Sequence, residues 1–200
     1  MRVLPDVVTP GLDAVFCGTA VGDCQALPGC HHAGRGDSFW ALLNGSGLTP
    51  RLLLPSEEDQ LLAYGLGLVD LLPRPGRELP PVAFDVDALV AKVAALRPRW
   101  IVLTSKRTGG VVARALGQPP PGLGPAGWEL AGSEVFVAPS SSGANRRRDY
   151  DGRLTRLAWW SDLPPLIREI RTPPSVGGIP PVRELRARGL APCRSGTPGS

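Results

Sequence analysis

The chain has 200 residues, 42% of them hydrophobic, which is enough to bury a sizeable core in one α/β or α+β domain and too little length for two of ordinary size. Its 22 Lys and Arg against 18 Asp and Glu give a formal net charge of +4, an excess too small to mark a nucleic-acid binder by itself. No run approaches the roughly 18 consecutive apolar residues of a membrane helix, and the opening MRVLPDVVTPGLD carries prolines and acids where a secretory signal needs an apolar stretch, so we expect a soluble protein of the cytoplasm with no membrane partner.

The first apolar run, DAVFCG at 13–18, predicts a buried strand ending in the glycine-containing loop GTAVG at 18–22. A loop at that end of a strand lies where open α/β sheets bind ligands. Cys17, Cys24, Cys30 and Cys193 have no paired short spacings, which predicts reduced thiols. With His31 and His32 they match no zinc pattern, and no metal site is expected. Asp37 is placed to cap a short helix whose Phe39, Trp40, Leu42 and Leu43 share a face, closed by Gly45 or Gly47. Ser56 and Asp59 resemble a capping box for a helix ending near Tyr64 and Gly65.

The proline-rich stretch 73–84 predicts a surface connection. From Asp85, Val86, Leu89, Val90, Val93 and Leu96 recur at helical spacing and feed WIVLT at 100–104, a continuous apolar strand. A helix over 106–116 stops at Gly117, and QPPPGLGPAG follows as a predicted loop. EVFVAP at 134–139 is the next strand, ending in the polar loop SSSGANRRR, and a Leu- and Trp-rich helix is expected over 150–162. The alternation predicts one domain over 1–170, a three-layer α/β/α sandwich around a mostly parallel four-stranded sheet. The Pro-, Gly- and Arg-rich stretch 171–200 is expected to form a loosely ordered tail.

Two loops at strand ends show only that a ligand could sit at the sheet's carboxyl edge. GTAVG lacks the third glycine of a dinucleotide fingerprint and the Gly-Lys-Ser/Thr of a P-loop. Arg146, Arg147 and Arg148, followed by Arg153 and Arg156, form a basic run suited to phosphate contacts, although a solvated face explains such a run equally well.

The ordered set VFCGTAVG, GDSFWALL, YGLGLVDL and VAPSSSGANR, over roughly residues 11–160, resembles the mismatch-specific uracil/thymine-DNA glycosylases of the uracil-DNA glycosylase superfamily. The resemblance implies a monofunctional enzyme of base-excision repair, working as a monomer on DNA. It would swing uracil out of a duplex, G·U mismatches included, and hydrolyse its N-glycosidic bond to leave an abasic site. No metal or organic cofactor is implied, since hydrogen-bond donors can stabilise the departing base.

The resemblance also assigns residues. Gly18, Thr19, Ala20 and Gly22 line the base pocket, and Ala20 stands where many relatives have the asparagine that positions the attacking water. Asp70 is the nearest carboxylate able to take over that role, and it is the expected catalytic residue. His32 falls where relatives stack an aromatic ring on the base, and Phe39, which matches the family's Phe-Trp pair, is expected to line the base pocket with it. Ser140 is expected to contact the base or the water. Ser142, Gly143, Ala144, Asn145, Arg146 and Arg147 form the loop that enters DNA. Ala144, at the wedge position, is too small to fill the space of a flipped nucleotide, which predicts weak dependence on the opposite base. Two alternatives stay open: a glycosylase for another lesion (hypoxanthine, ethenocytosine or thymine opposite guanine), and a non-catalytic DNA-lesion binder.

Overall fold

The structure is a computed structural model that describes residues 4–19, 30–71, 84–145 and 147–168. Among these residues five strands make one sheet in the order β2-β1-β3-β5-β4: β1 (Ala14–Thr19), β2 (Leu66–Leu71), β3 (Trp100–Leu103), β4 (Gly124–Leu130) and β5 (Ser133–Val137). The first four in that spatial order run parallel, and β4 is antiparallel to β5. The helices are α1 (Phe39–Gly45), a 3₁₀ stretch Pro55–Tyr64 kinked at Glu57, α2 (Val86–Leu96), α3 (Lys106–Ala115), α4 (Arg156–Trp160) and α5 (Leu163–Arg168).

Side chains alternate across the parallel strands, and both faces are covered, which is why β1 and β3 read as unbroken apolar runs. One face carries Ala14, Phe16, Leu66, Leu68, Trp100, Val102, Phe136 and Ala138. It packs on Phe39, Trp40, Leu42 and Leu43 of α1, Leu61 of the 3₁₀ stretch, and Trp160, Leu163 and Ile167 of α4 and α5. The other face carries Val15, Cys17, Val69, Leu71, Ile101, Leu103, Val135 and Val137 against Val86, Leu89 and Val93 of α2 and Val112 of α3. The three-layer expectation holds. After β1 the chain crosses to α1 on one face, and after β3 it crosses to α3 on the other, so the connections diverge beside the carboxyl ends of these neighbouring strands. Such a switch point opens a crevice.

The sheet has five strands where four were expected, because β4 arises from part of the segment read as a loop. Its Pro125, a register break between Pro125 and Glu129, and Gly127 at φ 76° are all tolerated because β4 is an edge strand. Ala131 (φ 50°) and Gly132 (φ 84°) turn β4 into β5 with two left-handed residues, the pattern of a tight hairpin.

β2 is also poorly announced, since Gly67 interrupts its apolar pattern. A Cβ there would lie 2.8 Å from the Val7 carbonyl oxygen and 2.7 Å from Leu12 Cδ1, so the glycine admits the segment that bridges Val7 to Leu68. The expected helix 150–162 is shorter at its start, and a new helix begins at Leu163, where Pro164 and Pro165 fit a first turn. The expected Ser56 cap is replaced by Glu57, whose carboxylate accepts from the Leu54 amide at 2.9 Å.

Cys17 is a free, fully buried thiol, and burial pushes its pKa far up, leaving it inert. Cys30 is disulfide-bonded, a departure from the expected reduced thiols. The tail 171–200 lies outside the described residues, and among those described no helix is long and apolar enough to cross a membrane.

Ser105 caps α3, its hydroxyl accepting from the Thr108 amide at 2.9 Å and meeting Thr108 Oγ1 at 2.7 Å. Ser105→Ala is expected to cost about 1 kcal/mol, seen as a lower urea midpoint at unchanged slope. An unshifted midpoint would show that the cap contributes nothing.

Candidate active site

The apolar rows on the α1 face change chemistry at the carboxyl edge. Ala14 and Phe16 lead to Gly18, Leu66 and Leu68 to Asp70, and Trp100 and Val102 to Thr104. The register places Gly18 directly beside Asp70. With no side chain of its own, Gly18 leaves a small hollow between its neighbours, tight even for a methyl group. A Cβ there would lie 3.3 Å from Asp70 Oδ1, 3.6 Å from Thr104 Oγ1 and 4.0 Å from His32 Nε2. Thr104 is fixed by its amide and hydroxyl, which both donate to the Cys17 carbonyl, at 3.0 and 3.1 Å. Two strands, the residue that ends a third, and one loop therefore aim an acid, a hydroxyl and an imidazole at one point.

The two histidines diverge because His32 is left-handed (φ 51°), a conformation rare for residues other than glycine and found preferentially where a site requires it. The His32 ring lies flat on Phe39, with centroids 3.9 Å apart and planes 8° from parallel. Its Nδ1 is 3.0 Å from Asp37 Oδ2, which leaves Nε2 directed at the hollow. Asp37 also accepts from the Phe39 amide at 2.9 Å while orienting the ring; the N-cap of α1 is Ser38, one residue after the expected Asp37. Burial opposes ionisation of Asp37, but the bonds from His32, Ser141 and the Phe39 amide outweigh it and hold its pKa below the usual value.

His31 turns the other way and is almost fully buried. Its amide donates to Glu58 Oε2 at 2.8 Å, its Nδ1 is 3.1 Å from the same oxygen, and its Nε2 is 3.8 Å from Asp70 Oδ2. Burial disfavours the imidazolium, yet the hydrogen bond and charge of Glu58 and the charges of Asp70 and Asp6 raise the His31 pKa above its ordinary value. The Asp70 side chain keeps 16% of its surface exposed.

Beyond β5 the loop is pinned from below. Trp160 Nε1 donates to the Pro139 carbonyl, Arg156 Nη1 to those of Ser140 and Ser142, and Asn145 Nδ2 to that of Ser140. The Ser38 amide and hydroxyl both donate to the Ser141 carbonyl, tying this loop to the segment that carries Asp37. Ser142, Gly143, Ala144 and Arg147 are exposed at its tip.

The structure thus brings Gly18, His32 and Asp70 together. Phe39 is fully buried beneath His32 and backs that ring instead of lining the hollow. Ser140 is half-buried, its hydroxyl accepting from the Ser142 amide at 3.3 Å, and Thr19 ends β1 half-exposed. Asn145, expected to reach DNA, has its amide turned inward on Ser140. Ala20, Gly22 and Arg146 lie outside the described residues. His31, Glu58 and Thr104 were not anticipated. Thr104 was legible as the polar end of the alternating row in WIVLT, whereas nothing local distinguishes Glu58 from a solvated helix acid. Among the described residues no group of His, Cys, Asp and Glu is arranged to hold a metal ion.

A polar hollow at a sheet's carboxyl edge, backed by an aromatic stack and flanked by an exposed Ser-Gly loop, is the setting in which the family comparison becomes decisive. The model of the Uracil DNA glycosylase superfamily matches residues 5–164. The chain belongs to that superfamily. It is thereby a DNA glycosylase, a hydrolase of N-glycosidic bonds whose substrate is DNA. The fold agrees with the solution NMR structure of a protein from Methanosarcina acetivorans, provisionally named a uracil DNA glycosylase. That match has a TM-score of 0.51 at 18% identity over 81% of this chain and 97% of the other.

Within this glycosylase fold the loop after β5 and the segment 34–38 touch through two glycines. A Cβ on Gly143 would sit 2.6 Å from the Gly36 carbonyl oxygen, a backbone atom that cannot swing aside. Gly143→Ala is expected to push the loops apart at a cost of about 1–3 kcal/mol, lowering the denaturation midpoint. An alanine variant as stable as the parent would show that the two loops separate freely.

Proposed function

We propose that this superfamily member is a monomeric, mismatch-type uracil-DNA glycosylase in which Asp70 is the catalytic residue. The observation that carries the reading is the partly open Asp70 carboxylate beside the hollow at Gly18, facing Thr104 and the Phe39-backed ring of His32. The subfamily reading rests on the four ordered sequence landmarks, and it comes with a cytoplasmic or nucleoid location and no membrane partner.

In this scheme the flipped uracil stacks on the free face of His32, and the β5 loop with Arg147 lies along the DNA backbone. Asp70 holds a water against C1′ of the deoxyribose. The C1′–N1 bond breaks towards an oxocarbenium-like state, and the anionic carboxylate stabilises the positive charge that develops on the sugar. As the water oxygen bonds to C1′, its proton passes to Asp70. Uracil leaves with the electron pair on its ring and takes a proton from solvent. Hydrogen-bond donors facing the base can stabilise that anion.

The test is strand scission, after alkali, of labelled duplexes holding one uracil opposite guanine or adenine, and of the single strand. Wild type is expected to cut all three at similar rates, and Asp70→Asn to lose about 100-fold to 10,000-fold in rate while still binding DNA. An Asp70→Asn variant that cuts at the wild-type rate would remove Asp70 from the chemistry. Cleavage of hypoxanthine or ethenocytosine in place of uracil would move the substrate, and binding without cleavage of any of them would make the protein a lesion reader.

A further inference from the structure

His31 has an arrangement that the scheme above does not use. Glu58 Oε2 already accepts from the His31 backbone amide, and a carboxylate can only accept, so Nδ1 of the ring carries a hydrogen and donates to it. Nε2 is buried, has no hydrogen-bond partner among the described residues, and faces Asp70 Oδ2 at 3.8 Å. In the neutral ring this geometry would turn a lone pair towards a carboxylate. With a second proton, Nε2 becomes a donor facing an acceptor.

Among the described residues, the charged groups that act most strongly on His31 are Glu58 from the 3₁₀ stretch, Asp70 from β2 and Asp6 from the segment before β1, all acidic. Lys92 of α2 pairs with Asp6.

Resting on the glycosylase reading, we infer that His31 is a positioning residue: an imidazolium seated on Glu58 that holds the Asp70 carboxylate in place against the reacting sugar. Glu58 orients His31, and His31 orients Asp70 through Nε2. The arrangement sets a direction for pH. Because the folded-state pKa of His31 is raised, the bridge is complete below the ordinary histidine value near 6.5 and is lost as pH rises through the folded value. Deprotonation then frees Asp70 without removing it, so the rate falls on the alkaline side while DNA affinity holds.

Two measurements on the full chain decide this. The first is an NMR titration of the histidine ring nitrogens in wild type, Asp70→Asn and Glu58→Gln. His31 is expected to titrate above 6.5 in wild type and lower in each variant. The second is the single-turnover rate on a uracil duplex against pH. Wild type should show an alkaline fall at the His31 midpoint. His31→Gln, which keeps an N–H donor but cannot titrate, should lose that fall and run about tenfold to 100-fold slower at its plateau, with unchanged DNA affinity. A merely structural His31 would lower stability and leave the shape of the profile alone. The inference is overturned by a His31 midpoint indifferent to Asp70→Asn, or by a His31→Gln enzyme with the wild-type alkaline limb. If His31→Gln does not fold, the titration of wild type and Asp70→Asn still decides. A wild type that cleaves no uracil at any pH overturns the uracil-glycosylase reading, and this role on a uracil substrate with it, whatever the titration shows.

Discussion

The alternation of side chains along three neighbouring parallel strands governs everything built above it. Phe16, Leu68 and Val102 must be apolar because α1 and α4 seal that face, and two residues further each strand runs out from under the helices. There the same row carries Gly18, Asp70 and Thr104. Apolar side chains at these positions would extend the core, whereas an absent side chain, an acid and a hydroxyl end the three rows in polar groups that converge over Gly18. Because β1 lies between β2 and β3, the residue without a side chain sits between the two that have one.

The second constraint is electrostatic. Glu58, His31, Asp70, Asp37 and His32 are drawn from water into one corner of a small domain, where single buried charges would be costly. They are tolerated because they interlock: Glu58 takes two bonds from His31, and Asp37 takes one from the His32 ring and one from the start of α1. These contacts fix both rings, His32 flat on Phe39 and His31 with its Nε2 3.8 Å from Asp70 Oδ2. A site that stabilises charge developing on a substrate benefits from groups that need not reorganise during the reaction.

How much of this was legible depended on the range of the interaction. β1 and β3 declared themselves because two buried faces impose continuous apolar runs. The nucleotide-cofactor classes fell away on the missing glycines and lysine of GTAVG. Asp70 stood out only through the landmarks around it, since an acid after GLV also suits a cap. β4 stayed hidden because an edge strand tolerates the Pro and Gly that signal a loop. Glu58 and Arg156 stayed hidden because their partners, His31 and the Ser140 and Ser142 carbonyls, are 27, 16 and 14 residues away. Phe39 was read as pocket lining, and only the left-handed turn at His32 shows why it lies one layer deeper.

In the proposed reaction the sugar stands over Gly18 with Asp70 on its flank. That placement is tested most directly by the structure of the protein bound to a duplex containing 2′-fluoro-2′-deoxyuridine, whose fluorine suppresses the sugar cation and preserves the glycosidic bond. The account predicts an extrahelical uracil stacked on His32, with an ordered water between C1′ and the Asp70 carboxylate, about 3 Å from its oxygen. A uracil seated elsewhere on the sheet edge, or one whose C1′ faces away from Asp70, would contradict it.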